Sequence, residues 1–196
     1  MTGWENAEDA ERYGRGLLAG AITMLRPLRE EDIPTLERWW NDPAVGLLQH
    51  ATVRPQPAGA VAEVFGQWSA NKDSTAVGFS VAAHDDAQLL GHAALYGAGA
   101  ASRSATLGIL IGPQHTGRGY GTDALRVLVA YGFDEMGLHR IGLEVWAYNS
   151  RAIATYRGLG FTEEGRRRDA VLHAGAFHDA VLMGLLEDEW RAAGRA

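Results

Sequence analysis

Apolar and polar positions alternate along the chain with two different periods, and together they predict a mixed α/β fold. Short apolar runs bounded by turn residues are typical of strands, and apolar residues at i, i+3 and i+4 are typical of helices. Strands are predicted at residues 22–28, 75–83, 88–96, 104–111, 140–145 and 178–186, with one more after Gly160 and Phe161. Helices are predicted at residues 33–41, 60–71, 122–136 and 150–159. Residues 5–18 permit a helix but show no apolar stripe.

The order of these elements predicts how they are arranged. Three consecutive strands between residues 75 and 111, the first two joined by the polar turn His84-Asp85-Asp86, predict an antiparallel meander. The strand–helix–strand unit at 104–145 predicts a parallel pair. We therefore expect a central mixed sheet, mostly antiparallel, with helices on both faces. We also expect one domain at 22–190, an N-terminal extension at 1–21 and a tail at 191–196.

A glycine-rich segment separates the strand at 104–111 from the helix at 122–136. Residues 114–122 are Gln-His-Thr-Gly-Arg-Gly-Tyr-Gly-Thr, with three glycines at alternate positions. Such a loop has few side chains on its inner face, so its backbone N–H groups can surround an anion. The positive end of the following helix dipole points to the same place. The segment therefore predicts a phosphate-binding site.

Two common phosphate-binding motifs use similar residues, but neither fits this segment. A P-loop requires a terminal Gly-Lys-Ser or Gly-Lys-Thr, which is absent. A Rossmann fingerprint has the spacing Gly-x-Gly-x-x-Gly and an acidic residue about 20 positions further on. Here the spacing is Gly117-x-Gly119-x-Gly121, and three predicted antiparallel strands precede it.

A second segment, Asn-Ser-Arg-Ala-Ile-Ala-Thr-Tyr-Arg-Gly-Leu-Gly-Phe at 149–161, follows the strand at 140–145. Together with the glycine-rich segment it resembles the GNAT superfamily of acetyl-CoA-dependent N-acetyltransferases. The sequences at 25–32, 39–43 and 179–190 are similar to its Rim-type branch, which includes ribosomal-protein N-terminal acetyltransferases and polyamine acetyltransferases. The resemblance covers about residues 22–190 and implies the GNAT fold, with a splayed parallel strand pair in the middle of the sheet.

The resemblance also implies a binding site for acetyl-CoA. The family's Arg/Gln-x-x-Gly-x-Gly/Ala signature falls on Thr116, Gly119 and Gly121, where threonine replaces the usual first residue; a register starting at Gln114 also fits. The diphosphate would then be held by main-chain N–H groups. The predicted diphosphate-binding residues are Thr116, Gly117, Arg118, Gly119, Tyr120, Gly121 and Thr122. The Arg118 side chain either adds a charged contact or is solvated.

The pantetheine arm of acetyl-CoA would lie between the splayed strands, paired with the backbone of Ile109, Leu110 and Ile111. One N–H there would polarise the thioester carbonyl and stabilise the oxyanion. Asn149 would hydrogen-bond the arm, cap the following helix, or do both. Tyr156 matches the family's tyrosine that donates a proton to the departing CoA thiolate; its alternative role is packing in the core.

The sequence leaves several candidates for the general base that would deprotonate the amine. Many family members use a glutamate on the strand before the loop, but the corresponding residue here is Thr106. Glu144 is the first alternative, and a chain of water molecules is another, because a desolvated amine loses its proton readily. The weaker candidates are Glu37, His50 and His92.

The composition of the chain limits which classes of molecule the protein is expected to bind and where in the cell it is expected to be. The formal net charge is −6, which does not suit nucleic acid and fits a cationic acceptor. The chain has no cysteine, so it has neither a thiol nucleophile nor disulfides. No apolar run has membrane-spanning length, and the charged N-terminus does not resemble a secretory signal, so we expect a cytoplasmic protein.

Several smaller features receive simple interpretations. The seven histidines show no metal-ligand spacing, so no metal site is expected. His173 and His178 are expected at the surface of a hairpin. Residues 166–168, three arginines, are expected in a solvated turn or against the 3′-phosphate of CoA. Of Trp39 and Trp40, at least one is expected in the core and the other beside the acceptor.

The predicted reaction is direct transfer of an acetyl group from acetyl-CoA to a primary amine. The acceptor would be a protein N-terminus, a polyamine or another small cationic amine. The alternative is a CoA-binding sensor or scaffold with the same fold and no turnover. The family resemblance also raises the expectation of a homodimer.

Overall fold

The computed structural model describes residues 4–84 and 88–194. Its strands form one seven-stranded sheet of order β1-β2-β3-β4-β5-β7-β6. The strands are β1 (Thr23–Arg26), β2 (Val77–Ala83), β3 (Leu89–Gly99), β4 (Ser104–Ile111), β5 (Arg140–Trp146), β6 (Thr162–His173) and β7 (Ala176–Leu186). The helices are α1 (Ala7–Gly16), α2 (Ile33–Trp40), α3 (Pro43–Gln49), α4 (Ala60–Trp68), α5 (Tyr120–Asp134), α6 (Ser150–Leu159) and α7 (Glu187–Ala192).

The sheet is antiparallel except for the central pair of β4 and β5, which is parallel. This pair forms only three rungs, from Ser104 opposite Arg140 to Thr106 opposite Gly142. Beyond them, β4 runs to Ile111 and β5 to Trp146 without pairing to each other. The two strands therefore diverge, and the predicted mixed sheet with a splayed parallel pair is confirmed.

Each face of the sheet is covered by helices, as the sequence predicts. On one face the apolar stripe of α5, which includes Leu125 and Leu128, packs into the larger hydrophobic core. On the other face α2, α3 and α4 bury a smaller cluster that includes Leu36 and Phe65. Leu110 of β4 belongs to this second cluster, so β4 contributes to both sides. The gap between β4 and β5 therefore lies between two packed layers.

Helix α5 begins at Tyr120, two residues before the predicted start, because Gly119 takes a left-handed conformation with φ of 85° as its N-cap. Asp123 in the first turn of α5 accepts hydrogen bonds from the backbone N–H groups of Ala21, Ile22 and Thr23 at 2.9–3.1 Å. The hydroxyl of Thr23 donates to the same carboxylate at 2.7 Å. Asp123 therefore ties the start of β1 to the helix that follows the glycine-rich loop.

The N-terminal segment outside the predicted domain carries α1, which has no buried residue. Its Tyr13 hydroxyl donates to Glu135 at 2.5 Å, just beyond the end of α5. At the other end of the chain, α7 extends into the predicted tail. The described residues do not include 1–3, 85–87 and 195–196. Asp85 and Asp86 of the predicted turn therefore lie outside the described residues.

Two local predictions were wrong. Helix α3 was missed because Asp42-Pro43 ends α2 and also starts α3: the Asp42 carboxylate accepts from the N–H of Ala44 at 2.9 Å, and proline suits the first helical turn. The arginines at 166–168 lie inside β6 rather than in a turn. A register shift between Arg167 and Val171 interrupts their pairing with β7, so this segment lacks the pattern of a regular strand and was not predicted as one.

Among the helices of the described residues, none has the length and hydropathy required to cross a bilayer.

Candidate functional site

The gap between β4 and β5 opens into a cleft of about 690 Å³. This volume lies within the range typical of small-molecule sites, about 300–1,000 Å³. Most of the residues predicted for the site line this cleft, although they come from β4, the glycine-rich loop, α5 and α6. These lining residues are Ile109, Leu110, Ile111, Thr116, Gly117, Gly119, Gly121, Thr122, Asn149 and Tyr156. Arg118 and Tyr120 are the two predicted residues that do not line it.

The glycine-rich loop exposes its backbone. Gly117 and Gly119 have φ of 76° and 85°, which L side chains rarely adopt. A Cβ at Gly117 would have no heavy atom within 4 Å, so its surface is open. Thr116 turns its hydroxyl onto the carbonyl of Pro113 at 3.0 Å and thereby closes the short 3-10 turn before the loop. The loop therefore offers main-chain N–H groups rather than side chains to a ligand.

The two predicted loop residues outside the cleft face elsewhere. Tyr120 is partly buried, packs against the larger core and meets the ring of His115 edge-on with centroids 6.4 Å apart. Arg118 is exposed to solvent. Burial and the nearby Arg118 charge lower the pKa of His115, so this imidazole is neutral at physiological pH and adds no positive charge below the loop.

Backbone groups of β4 face the gap at alternate residues. Gly112 donates its N–H to a β3 carbonyl at 2.9 Å, so its backbone, and that of Leu110 two residues earlier, points to β3. The backbone groups of Ile109 and Ile111 therefore point into the gap. The side-chain amide of Gln49 donates to the carbonyl of Ile109 at 2.9 Å, which agrees with this direction. Leu110 contributes its side chain to the cleft, and its backbone is turned to β3.

Tyr156 is placed at the floor of the cleft by α6. Asn149 caps this helix, since its side-chain oxygen accepts from the N–H of Ala152 at 3.2 Å. Tyr156 is 9% exposed and its ring packs on Phe161 at a centroid distance of 5.9 Å. Burial, with a smaller contribution from the nearby Tyr96, raises the pKa of Tyr156 to about 12. The phenol therefore keeps its proton at neutral pH.

The candidate bases have different surroundings. Thr106 lies opposite Tyr96 in the β3–β4 ladder and carries no ionisable group. Glu144 lines the cleft and forms an ion pair with Arg167 from β6. Glu37 accepts from the N–H of Gly59 at 2.6 Å, a contact that holds the start of α4. Glu144 is thus the one carboxylate among these candidates that reaches the cleft.

The two histidine candidates lie on the face of the sheet covered by α2, α3 and α4. Burial lowers the pKa of His50, and its ring lies 4.2 Å from that of Trp40. Burial also lowers the pKa of His92 to about 4, against a smaller opposing effect of the Asp32 carboxylate. The Nε2 atom of His92 is 2.7 Å from the hydroxyl of Ser69. Both imidazoles are therefore neutral at pH 7.

A second cavity of about 220 Å³ adjoins the cleft on the same face. Its walls include Trp40, Phe65, Trp68 and His92. Trp39 is instead buried in the core against Gly112, where an added Cβ would lie 2.5 Å from the indole ring. Trp39 is therefore the core residue of this adjacent pair and Trp40 lines a cavity, and the expectation that the second tryptophan lies beside the acceptor stays a prediction.

The histidines of the hairpin were only partly anticipated. His173 is buried rather than at the surface, and its Nε2 atom lies 3.1 Å from the carbonyl oxygen of His50. His178 is half-buried, with its ring 5.0 Å from Tyr148. The surface position predicted for His173 was wrong because its side chain packs against the end of α3, a contact that the sequence pattern did not reveal. Within residues 4–84 and 88–194, no group of histidine, aspartate and glutamate has the arrangement of a metal site.

Residues that sequence reasoning missed come from distant parts of the chain. Gln49 and Tyr96 line both cavities, yet neither belongs to a recognisable motif. Asp123 ties the start of α5 to residues about 100 positions away in the chain. Its position in the first turn after a glycine-rich loop is a helix-start signal, but that signal does not reveal the partner.

The chain is similar to several known proteins. A model of the acetyltransferase (GNAT) domain family matches residues 23–162. The chain is 34% identical over 105 residues to the putative ribosomal N-acetyltransferase YdaF of Bacillus subtilis (strain 168), which covers 54% of the chain and 57% of that protein. It is 32% identical over 88 residues to the spermidine N(1)-acetyltransferase of Vibrio cholerae, which covers 45% and 51%. The chain thus spans about half the length of these two curated relatives.

Among solved structures, the spermidine N-acetyltransferase from Vibrio cholerae in complex with CoA and spermine superposes with a TM-score of 0.78. The sequence identity is 23%, and the superposition covers 87% of this chain and 99% of that chain. The likeness establishes a shared fold.

Proposed function

Since the chain belongs to the acetyltransferase (GNAT) domain family, we propose that it transfers an acetyl group from acetyl-CoA to a primary amine. One observation carries this proposal: the exposed glycine backbone, the free edge of β4 and the buried Tyr156 all meet in one cleft. The relatives named as ribosomal and spermidine acetyltransferases support an amine as the acceptor. The choice among protein N-termini, polyamines and other amines depends on the acceptor side of the cleft.

The residues present fit acetyl-CoA. The open backbone at Gly117 and Gly119, followed by the N-terminus of α5, suits a diphosphate, which needs N–H donors and a positive potential. The gap-facing backbone of Ile109 and Ile111 suits an extended arm that carries amide groups, because such an arm can pair like a strand. The side-chain amide of Asn149 would add a hydrogen bond to that arm while its oxygen continues to cap α6.

Acetyl-CoA supplies the acetyl group as an activated thioester. A backbone N–H directed into the gap, from Ile109 or Ile111, would stabilise the negative charge that develops on the carbonyl oxygen during attack. Preorganised donors of this kind are worth about 10²–10³ in kcat. The rigid β3–β4 ladder holds these donors in place before the substrate arrives.

Tyr156 would stabilise the leaving sulfur. A thiol has a pKa near 8.5, well below the value of about 12 for Tyr156. A thiolate therefore does not remove the phenolic proton completely; Tyr156 donates a strong hydrogen bond and lowers the energy of the departing sulfur. This role requires the protonated phenol, which burial guarantees across the neutral pH range.

The amine must reach the reaction in its neutral form, because an ammonium has no lone pair. Glu144 is the carboxylate that lines the cleft, and it forms an ion pair with Arg167. The apolar walls of the adjoining cavity also favour the neutral amine, because desolvation lowers an amine's pKa. We propose that desolvation does most of this work and that Glu144 accepts the proton directly or through water.

A turnover assay tests this function against the silent-sensor alternative. The purified chain is mixed with acetyl-CoA and a panel of amines, and release of the free thiol is followed over time. An acetyltransferase releases thiol with at least one amine, with mass spectrometry showing a product about 42 Da heavier than the amine (an acetyl group replacing one hydrogen). A sensor binds CoA and releases no thiol above the rate without protein.

The predicted homodimer stays a prediction. A dodecameric structure is known for the similar spermidine N-acetyltransferase of Vibrio cholerae. Light scattering at several concentrations measures the assembly of this chain directly.

A further inference from the structure

We propose that the cavity walled by Trp40, Phe65 and Trp68 is the acceptor site, and that it selects a primary amine carrying an aromatic group on a short chain over a polyamine. This inference rests on the proposed acetyl transfer. It goes further by naming the acceptor class and the residues that select it.

The position of the cavity supports an acceptor role. It shares Gln49, Tyr96, Gly108, Ile109 and Leu110 with the main cleft. It therefore opens at the stretch of β4 whose backbone faces the gap, where the thioester is proposed to lie. A molecule in this cavity would approach that point from the face of the sheet opposite α5, so the acetyl donor and the acceptor would not compete for space.

The walls of the cavity are aromatic and mutually packed. The ring of Trp40 lies 5.6 Å from Phe65 and 5.3 Å from Trp68, and Phe65 lies 5.6 Å from Trp68. All three contacts are edge-to-face, the arrangement that aromatic pairs prefer. Phe65 also contacts His92 at 5.0 Å. Such walls offer ring faces and edges to a bound molecule. Because the rings pack against one another, they have little freedom to rearrange around a long flexible chain.

The size of the cavity suits one aromatic ring. An apolar cavity of about 150 Å³ in another protein accommodates benzene. The cavity here, about 220 Å³, has room for a ring and one or two further atoms that lead to the amine. A ring in this cavity would place a short aminoalkyl chain toward Gly108 and Ile109, at the mouth shared with the cleft.

The charges around the cavity argue against a polyamine. No aspartate or glutamate from the described residues lines it. The nearby Asp32 is already neutralised by the guanidinium of Arg26, at 2.7 and 2.8 Å, and accepts a further hydrogen bond from Ser80. In the main cleft Glu144 is the one acidic lining residue among those described, and it is paired with Arg167. A polyamine would bring two or more ammonium groups with no free carboxylate to receive them, and desolvating an unpaired charge is costly.

The test compares acceptors of defined chemistry. Thiol release from acetyl-CoA is measured with phenethylamine, with a tripeptide that begins with phenylalanine, with a tripeptide that begins with alanine, and with spermidine. We expect kcat/KM for phenethylamine to exceed that for spermidine at least 10-fold. If the natural source of the aromatic amine is a polypeptide, the phenylalanine tripeptide also exceeds the alanine tripeptide at least 10-fold; equal rates for the two tripeptides identify a small molecule as the source. A kcat/KM for spermidine equal to or above that for phenethylamine overturns the proposal.

A matched pair of variants locates the selecting residues. Trp68→Leu removes one wall and should lower kcat/KM for phenethylamine at least 10-fold while the Kd for CoA stays within 2-fold. Trp4→Leu removes an exposed indole, 64% exposed, that lies outside both cavities and should change neither quantity. Unchanged selectivity in a folded Trp68→Leu variant contradicts the assignment. If this variant does not fold, the comparison of acceptors with the parent chain still decides the question.

The same experiment separates this inference from the proposed function. If no amine releases thiol although CoA binds, acetyl transfer is refuted. Binding of phenethylamine to the CoA complex is then measured by tryptophan fluorescence, with spermidine as the competitor. Quenching by phenethylamine that spermidine does not reverse supports an aromatic-amine site in a sensor, and absence of quenching overturns the proposed site as well.

Discussion

Thr106 and Gly142 form the last rung of the parallel ladder between β4 and β5. Beyond this rung the backbone groups of β4 face either β3 or the open gap, so this pair marks where the β4–β5 pairing ends and the cleft begins. Thr106 also lies opposite Tyr96 in the other ladder. Thr106, the position at which the family resemblance implies a glutamate, therefore carries no carboxylate, and in the proposed reaction proton removal falls to Glu144, water and desolvation.

Tyr156→Phe should slow the chemical step and leave CoA binding intact. The variant loses one hydroxyl, so the packing against Phe161 is preserved but no donor reaches the leaving sulfur. General acid–base contributions are typically about 10²–10⁴-fold, and we expect kcat to fall by about 10². Steady-state thiol release gives kcat, and isothermal titration gives the Kd for CoA, which should stay within 2-fold.

Tyr131→Phe is the matched control for this substitution. Tyr131 lies on α5 with its ring 5.5 Å from Phe79, and it lines neither cavity. This variant should retain the parent kcat. Equal rates in Tyr156→Phe and the parent would remove the assigned role of Tyr156.

Gly117→Ala should weaken CoA binding through the backbone alone. An added Cβ meets no atom within 4 Å, so the effect cannot come from a clash inside the protein. The φ of 76° is unfavourable for alanine by about 1–2 kcal/mol, and relief of that strain moves the N–H groups out of position. We expect the Kd for CoA to rise about 10-fold, measured by calorimetry.

Gly66→Ala provides the comparison for the loop variant. Gly66 lies within α4, where the backbone is helical and an added Cβ would meet no atom within 4 Å. Alanine favours a helix by about 0.8–1 kcal/mol over glycine, so this variant should be slightly more stable with the parent affinity for CoA. Parent-like affinity in Gly117→Ala would argue that the loop does not hold the diphosphate.

Asp123→Asn should destabilise the protein and reduce its sensitivity to acid. One carboxylate oxygen accepts two N–H groups and one hydroxyl, and an amide cannot satisfy all of these donors. We expect a loss of about 2 kcal/mol in the free energy of unfolding at pH 7, since leaving buried donors unpaired costs about 1–3 kcal/mol. Urea unfolding at several pH values measures it.

The pH dependence of this effect follows from the pKa of Asp123. Burial raises that pKa, but the hydrogen bonds from Ile22, Thr23 and Ala21 outweigh it and lower the pKa below its ordinary value. The carboxylate therefore stabilises the fold above the unfolded-state pKa, about 3.9, and this contribution is lost as the pH falls through the lower folded-state pKa. The difference between parent and variant should shrink toward pH 2. Asp188→Asn, in the exposed first turn of α7, should change stability by less than about 0.5 kcal/mol.

Family, fold class and the class of enzyme, an acetyltransferase, were predicted correctly from the sequence, because they depend on local patterns in the right order. The glycine-rich loop and the segment around Tyr156 are each short, continuous motifs, so they can be recognised in a single sequence. The period-2 and period-3.6 patterns place β4, α5 and β5 in series, and a helix that connects two neighbouring strands of one sheet indicates that they are parallel.

The rest required tertiary structure, for identifiable reasons. The aspartate–proline pair at 42–43 signals the end of one helix and the start of another equally well, so α3 was missed and with it Gln49. The partners of Asp123 lie about 100 residues away in the chain. The helical stripe that contains Phe65 and Trp68 predicts a buried face, but no pattern tells that part of this face borders a cavity. Sequence spacing locates elements, and only packing decides what each face touches.

His92 should make the stability of the protein depend on pH between 6.5 and 4. This side chain is 3% exposed, and burial lowers its pKa from 6.5 in the unfolded chain to about 4 in the fold. Between these values the unfolded state binds a proton that the native state does not, so the free energy of unfolding falls as the pH is lowered. At about 1.4 kcal/mol per pKa unit, the loss attributable to His92 is about 3 kcal/mol.

Urea unfolding of the parent and of His92→Gln at pH 7, 6, 5 and 4 measures this loss as the difference between the pH dependences of the two proteins. His139→Gln, at an exposed position, is the control and should follow the parent. If the parent and His92→Gln lose stability equally over this range, burial does not lower the pKa of this imidazole, and the aromatic cavity beside it gains a positive charge as the pH falls below 6.5.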